Sequence, residues 1–315
     1  MSKHKTILGS IDPELADRLV TRREAIKKGA AVSTTVAAGL AMASVPVALS
    51  ALAKDAFAQT PADVTAVLNF ALALEIFENE FYKAVLGTSA SAAQNTAFAT
   101  VRAQVPAAAV TVFQQIQKHE AAHVAFLLAN GATNSLNLNA DSFDFTGNRG
   151  GATGPFVRAT TELAFLLAVA QGAEDTGVRA YKGQAATLLA NRPVLEAALR
   201  IHSVEARHAA KVRRLRRANG APAVVKYSGT VSGGGSAAAG AGNITPAPPQ
   251  AVVDAFNAIY AGEDNTTQGN NISITGLSNL PTGFNTAVAQ EAFDEPLTKA
   301  QVIAIVQPFF KPTLS

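Results

Sequence analysis

The sequence predicts an all-α protein whose main body is a four-helix bundle with one long crossover connection. Four long segments have apolar residues at helical spacing, and a polar segment at 131–155 separates the second from the third. The second and fourth segments both end in Ala-Asn-Gly-Ala, which indicates an internal duplication. The predicted helices cover residues 63–86, 106–128, 157–189 and 193–218.

The first two helices are predicted from their composition and from their ends. Residues 63–86 are rich in strong helix formers and contain neither Gly nor Pro. Pro106 begins the second helix, because proline is favoured in the first turn. Asn130-Gly131 ends it, since a left-handed residue commonly follows the last turn. A Ser/Ala/Gln/Asn-rich connection lies between the two.

The third and fourth helices follow the polar segment, whose Asn, Asp, Gly and Ser residues are too many for a tight turn and predict a crossover. Gly183 lies late in the third helix and leaves its depth relative to the fourth open. Asn191 is the expected cap of the fourth helix, which begins at Pro193 and ends before Asn219-Gly220. The expected bundle domain is 59–221.

Residues 222–315 are predicted to form a linker and a C-terminal extension. The stretch GTVSGGGSAAAGAG has the composition of a flexible or extended linker. Pro249 begins a short predicted helix, and residues 298–309 form a last amphipathic turn or two. The extension is expected to pack on the bundle or on a partner, and the sequence does not choose between them.

Residues 1–58 have the three parts of an export signal. Arg22-Arg23 and nearby lysines precede an uncharged stretch at 29–53, and Ala56-Phe57-Ala58 is a small-residue cleavage site. The paired arginines resemble the twin-arginine type, although Ala25 stands where a large apolar residue is preferred. An uncleaved membrane helix is the alternative. We expect cleavage, a periplasmic or secreted protein, and no stable membrane association afterwards.

Charge and composition exclude several classes of function. Residues 1–58 hold eight Lys/Arg and five Asp/Glu, so the net charge of +3 falls there, and 59–315 are neutral with 18 of each sign. The mature chain therefore has no basic excess for nucleic acid. The chain has no Cys, which excludes disulfides and thiolate sites. The arginines at 213–217 are interpreted as a solvated helix end that suits the helix dipole.

The positions of the histidines indicate a cation-binding site. All four His of residues 59–315 lie in the second and fourth predicted helices, and each helix contains Glu-x-x-His. Residues three apart lie about 60° from each other around a helix, so the carboxylate and imidazole share a face. Such pairs suit a hard or borderline cation such as iron, manganese or zinc. The two pairs are Glu120 with His123 and Glu205 with His208.

The other two helices share a second pattern. Glu75 is followed seven residues later by Tyr82, and Glu174 seven residues later by Tyr181. Two helical turns place each Tyr on the face of its Glu. A carboxylate in such apolar surroundings would be costly without a partner. Four acids and two imidazoles that converge on two divalent cations would remove this cost.

One Glu on each of two helices and Glu-x-x-His on each of the other two is the ligand pattern of ferritin-like di-iron and di-manganese proteins. With the strings LEIFENEFY and AEDTGVRAY, residues 63–220 resemble the exported ferritin-like domain family that includes desiccation-related proteins. The strings YAGEDNTTQG and FDEPLTKAQV also resemble such chains, but we attach no chemistry to them.

The resemblance implies a role for each matching residue. Glu120 and Glu205 would bridge two metal ions, iron or manganese, and each His would bind one of them. Tyr82 and Tyr181 would hydrogen-bond a ligand carboxylate or pass an electron. The ligand set implied is Glu75, Glu120, His123, Glu174, Glu205 and His208.

Other residues compete for these roles. Four further acids lie in the first and third helices, and the shared Tyr spacing favours Glu75 and Glu174 over them. His119 and His202 are expected beside the ligands or in solvent, and outside the ligand set. The competing acids are Glu78, Glu80, Glu162 and Asp175.

Two functions remain open at this point. The first is redox chemistry with oxygen, peroxide or ferrous iron, in iron oxidation or oxidative-stress defence. The second is a stress- or desiccation-related binding or structural protein that retains the bundle without turnover. A monomer or small homo-oligomer is expected, because the long extension argues against a closed storage shell.

Overall fold

The computed structural model describes residues 62–220, 248–268, 271–277 and 293–314, together with 280, 282, 284–286 and 289. The predicted export signal, 1–58, and the predicted Gly-rich linker lie outside the described residues. Within the described ranges, no helix combines the length and the apolar character needed to cross a membrane.

The predicted helical bundle is confirmed. Four long helices form it, and their bounds lie close to the predicted ones except in the third. They are α1 (Ala62–Leu86), α4 (Ala107–Ala129), α5 (Leu163–Gln184) and α6 (Arg192–Ala218). Two short helices, α2 (Ala92–Ala97) and α3 (Ala99–Arg102), lie between α1 and α4. Gly131 and Gly220 follow α4 and α6 with φ of 92° and 89°, as the Asn-Gly signals predicted.

The long helices pack as two antiparallel pairs, α1 with α4 and α5 with α6. In the second pair, His202 Nδ1 lies 3.0 Å from the Val178 carbonyl, and Arg216 donates to Gln171 at 2.7 Å. The contact with the later residue of α6 is made by the earlier residue of α5, so the two helices run in opposite directions. Facing apolar rows between the helices form the core, so any polar group placed there must find a partner.

The third helix is shorter than predicted. Residues 157–189 do not form one helix, because 3₁₀ turns at Val157–Thr160 and Ala185–Leu188 flank α5. The Thr160 hydroxyl donates to the Val157 carbonyl at 2.8 Å, and Thr161 is also β-branched. Hydroxyl groups that compete for the backbone, together with low helix propensity, explain the late start of α5.

The crossover between α4 and α5 packs against the end of the chain. Phe143 forms a bridge with Phe310, and the Asp144 amide donates to the Phe309 carbonyl at 2.8 Å. The ring of Phe77 in α1 lies 5.4 Å from that of Phe310 and 5.8 Å from that of Phe143. An aromatic cluster thus joins α1, the crossover and the C-terminus, where edge-to-face and offset contacts are favourable.

The described part of the C-terminal extension packs on the bundle, with two helices against α5. Its elements are α7 (Gln250–Ile259), the two-stranded sheet β1 (Thr267–Gln268) and β2 (Ile272–Ser273), a 3₁₀ turn at Ile274–Gly276, α8 (Lys299–Val306) and a 3₁₀ turn at Gln307–Phe309. Gly183 permits this docking, because a Cβ there would lie 1.8 Å from the Leu297 carbonyl oxygen.

Buried arginines fasten the extension. Arg179 of α5, 1% exposed, donates to the carbonyls of Ile259, Ala261 and Glu295 and pairs with Glu263 at 3.2 Å. A guanidinium with several acceptors is well suited to hold separate chain segments together. The YAGED and FDEP strings, to which no role was attached, supply two of these acceptors, the carbonyls of Ala261 and Glu295.

The interpretation of residues 213–217 as a solvated helix end was wrong for part of the run. Arg216 is 1% exposed and is bonded to Gln171, and Arg213 pairs with Asp175 at 3.0 Å. The hydroxyl of Tyr260 also donates to Asp175. Polar side chains of α5 and the extension therefore bind Arg213 and Arg216, whereas Arg214 and Arg217 are exposed as predicted.

Candidate metal centre

The six predicted ligands meet in the interior of the bundle. Their side chains belong to all four long helices and are between 0% and 4% exposed. They form two overlapping groups, in each of which the candidate ligand atoms lie within 4.8 Å of one another. Glu120 and Glu205 belong to both groups, the arrangement expected of bridging carboxylates. The groups are Glu75, Glu120, His123 and Glu205, and Glu120, Glu174, Glu205 and His208.

Each imidazole turns one nitrogen towards three carboxylates. His123 Nδ1 lies 3.0, 3.1 and 3.2 Å from the nearest oxygens of Glu75, Glu120 and Glu205. His208 Nδ1 lies 2.8, 3.3 and 3.7 Å from those of Glu120, Glu174 and Glu205. Each group therefore has one nitrogen donor and three carboxylates, all directed inward.

Hydrogen bonding within the protein does not satisfy this cluster. Both oxygens of Glu205, Glu120 Oε1, Glu174 Oε2 and His208 Nδ1 are buried without a hydrogen-bond partner among the described residues. Several of them are close to one another, but their geometry is not that of a donor facing an acceptor. Buried polar atoms without partners are costly. Two divalent cations would coordinate these atoms and neutralise the four carboxylates, so the residues fit a dinuclear metal centre.

Without metal, the cluster retains protons. Burial, followed by repulsion from Glu205, raises the pKa of Glu120 to about 8. Burial also raises the pKa of Glu174 to about 7, against the attraction of His208. Burial alone would lower the pKa of both His123 and His208, but their acidic neighbours raise it above the ordinary value. Metal ions require deprotonated ligands and would displace these protons.

The two tyrosines connect α1 and α5 reciprocally. The Tyr82 hydroxyl of α1 donates to Glu174 of α5, and the Tyr181 hydroxyl of α5 donates to Glu75 of α1. Burial and the adjacent carboxylates raise the pKa of both phenols, which therefore remain protonated donors. Each bond holds a carboxylate whose other oxygen faces the cluster, so the phenols orient the candidate ligands.

His119 contacts the cluster from outside. Its Nδ1 lies 2.9 Å from His208 Nε2, and the Gln115 side-chain amide lies 2.6 Å from its Nε2. Burial, together with His208 and His123, lowers the pKa of His119 to about 4, so it is neutral at pH 7. His119 thus occupies Nε2 of His208 and leaves Nδ1 of His208 facing the carboxylates of Glu120 and Glu174. His202 instead contacts the Val178 carbonyl and only joins α6 to α5.

Three of the four competing acids are engaged elsewhere. Glu80 pairs with Lys83 at 2.7 Å, and Glu162 pairs with Arg158 at 2.7 Å. Asp175 pairs with Arg213 at 3.0 Å. Each of these acids has a basic partner on its own or an adjacent element, which removes it from consideration as a ligand.

Glu78 is the exception among the competitors. It is 3% exposed, and burial followed by repulsion from Glu205 raises its pKa well above the ordinary value. The shared Tyr spacing favoured Glu75, and the predicted site did not include Glu78. Its position three residues after Glu75, on the same helical face, was the signal that could have identified it.

Comparison with known protein families agrees with the helical fold. Residues 63–218 match the family model of the ferritin-like domain. The ferritin-like domain thus begins at the second residue of α1 and ends with the last residue of α6, and it contains every candidate ligand. Neither curated proteins nor solved structures gave a match to the chain.

Proposed function

We propose that this protein is an exported ferritin-like protein with a carboxylate-bridged pair of iron or manganese ions that reacts with oxygen or peroxide. The proposed role is iron oxidation or oxidative-stress defence, with ferrous iron as a possible substrate. The observation that carries the proposal is the sharing of Glu120 and Glu205 between two groups of ligand atoms. Two adjacent ions need shared carboxylates, whereas a single ion does not.

Each proposed ion position has two donors of its own in addition to the shared Glu120 and Glu205. One ion position has Glu75 and His123 as its own donors, and the other has Glu174 and His208. When bound, two iron or manganese ions would supply electrons for the reduction of oxygen or peroxide. The protein provides the surrounding conditions: buried ligands exclude water, the tyrosine hydroxyls orient Glu75 and Glu174, and Glu120 and Glu174 are acids that can hold a proton near neutral pH.

A small apolar cavity beside the cluster supports dioxygen as a substrate. Its volume is about 30 Å³, and Phe70, Leu74, Phe126 and Ile201 are among its lining residues. Tyr181 also lines the cavity, and its hydroxyl donates to Glu75. A cavity with such walls favours a small apolar molecule over a charged one, and Tyr181 connects it to the candidate ligand Glu75.

Metal analysis and turnover assays on untagged protein test the proposal. We expect two iron or manganese ions per chain, together with consumption of oxygen or peroxide. Glu120→Ala and His208→Ala should each lower the metal content, with helical content checked by circular dichroism. Unchanged metal content in both folded variants would contradict the site. Metal without turnover would favour the non-catalytic stress- or desiccation-related role.

Export is a separate part of the proposal and depends on the sequence of residues 1–58. The paired arginines, the uncharged stretch and the Ala-Phe-Ala site support twin-arginine export, which transports folded proteins and would suit a metal centre assembled in the cytoplasm. Replacement of Arg22 and Arg23 by Lys should retain the protein in the cytoplasm with its leader uncleaved. Processing and export as efficient as in the wild type would contradict this route.

A further inference from the structure

The two halves of the bundle are related by sequence, but they differ beside the metal centre. α1 and α5 share the Glu and Tyr spacing, and their tyrosines bond reciprocally to the other helix's Glu. The residue three positions after the Glu is Glu78 in α1, whereas the equivalent residue in α5 is Gly177. One half therefore has an additional carboxylate where the other has no side chain.

Gly177 provides the space that Glu78 occupies. A Cβ on Gly177 would lie 3.1 Å from Glu78 Oε1 and 3.4 Å from Glu205 Oε2. These two oxygens therefore lie on the same side of α5, no further apart than the sum of the two distances. A long side chain at position 177 would fill the space that the Glu78 carboxylate occupies.

Glu78 lies next to residues of both groups of ligand atoms. Along α1 it lies between Glu75, which belongs to the first group, and Tyr82, which bonds Glu174 of the second. Glu205, its neighbour across Gly177, belongs to both groups. Its helical position and its nearness to Glu205 place Glu78 beside the two groups, although it belongs to neither of them.

The surroundings of Glu78 are acidic. After burial, the charges that raise the pKa of Glu78 most belong to Glu205, Glu174, Glu120 and Glu75. Among the residues that the structure describes, none donates a hydrogen bond or offers a cation to Glu78, although its side chain is 3% exposed. A carboxylate on a side chain this little exposed, with other carboxylates close by, is unfavourable unless a cation joins them.

We propose that Glu78 is a further metal ligand of this centre, a fifth carboxylate that lies between the two ion positions. This inference rests on the proposed function. Gly177 is the residue that makes a single additional carboxylate possible, and the two halves of the centre are unequal because only α1 supplies one.

Titration of metal-free, untagged protein with Mn²⁺ tests the inference through binding rather than activity. We compare the wild type with Glu78→Gln and with the control Glu80→Gln, which changes a neighbouring acid that is paired with Lys83. The wild type and the control should bind two ions with the same affinity. Glu78→Gln should bind them with an affinity about tenfold or more weaker, the scale found when groups around a metal are removed.

The melting temperature of the metal-free protein separates a ligand from a merely structural residue. Glu78→Gln removes a buried, repelled carboxylate, so the metal-free variant should melt at a higher temperature at pH 7 than the metal-free wild type, although it binds Mn²⁺ more weakly. A residue needed only for folding would lower both the melting temperature and the affinity. That result would overturn the inference.

Gly177→Ala provides a second variant that leaves every carboxylate in place. The added methyl group should displace Glu78 and weaken Mn²⁺ binding in the same direction, and the effect should be smaller when Glu78 is already Gln. If the wild type binds two ions and Glu78→Gln binds them equally tightly, Glu78 is not a ligand and the proposed function still stands. If the wild type binds no metal, the proposed function and the inference both fail.

Discussion

Individual residues around the cluster set the direction in which each candidate ligand points. His208 is the clearest case, because its Nε2 is occupied by His119 while its Nδ1 faces Glu120 and Glu174. An imidazole has only two nitrogens, so the partner of one decides the state of the other. His119 therefore acts on the metal centre without being one of its ligands.

Replacement of His119 by Ala should weaken metal binding without removing a ligand. His208 would lose the partner that orients it, and a loss of about 10- to 100-fold in affinity is typical for such second-sphere groups. His202→Ala is the matched control, because His202 contacts only the Val178 carbonyl and should leave affinity unchanged. Titration with Mn²⁺ measures both. Equal affinities for the two variants would contradict a role for His119.

At the scale of elements, α5 contacts the cluster with one face and the C-terminal extension with another. One face presents Glu174 and Tyr181 to the cluster, and another holds the C-terminal extension through Arg179 and the close approach at Gly183. The extension therefore covers the helix that supplies one of the ligands. Its described part belongs to the same compact unit as the bundle.

Arg179→Ala should release this extension. The substitution leaves the Glu263 carboxylate, 1% exposed, without its buried partner, and the loss of one member of such a pair typically costs about 3–5 kcal/mol. Arg200→Ala removes an arginine that is paired with Glu196 on the surface and should cost no more than about 1 kcal/mol. Thermal melting and limited proteolysis of the extension compare the two variants, and indistinguishable results would contradict the anchoring role of Arg179.

At the scale of the whole molecule, we expect the buried cluster to make stability depend on metal and on pH. Glu120 and Glu174 have folded-state pKa values of about 8 and about 7, above the ordinary value of 4.5. Between pH 4.5 and these folded-state pKa values, the folded state therefore binds more protons than the unfolded state. Their contribution to the stability of the metal-free protein is complete below pH 4.5 and is lost as pH rises through 7 to 8.

The stabilisation by metal should therefore increase from pH 6 to pH 8. Protonated Glu120 and Glu174 compete with metal at the lower pH, whereas at the higher pH metal binds the carboxylates whose ionisation destabilises the metal-free protein. Melting temperatures with and without Mn²⁺ across this range measure the effect. Calorimetry in two buffers should show proton release on binding at pH 6.5. A pH-independent difference in melting temperature, with no proton release, would contradict this account.

The sequence by itself determined the bundle and the six candidate ligands, because helical spacing decides which side chains share a face. Glu120 and His123, or Glu75 and Tyr82, are related by one or two turns of the same helix, so their common direction follows from local geometry. The crossover and the ends of α4 and α6 were also predictable from local signals such as Asn-Gly, whereas both ends of α5 differ from the prediction.

Only the tertiary structure decided which acids remain unpaired and where the extension lies. Glu80 and Glu162 have partners three or four residues away, whereas the freedom of Glu78 depends on the missing side chain of Gly177 in another helix. Arg216 also depends on another helix, because it is buried against α5 and donates to Gln171 there. Such pairings join residues that are distant in the chain, and they depend on packing between helices that no local spacing specifies.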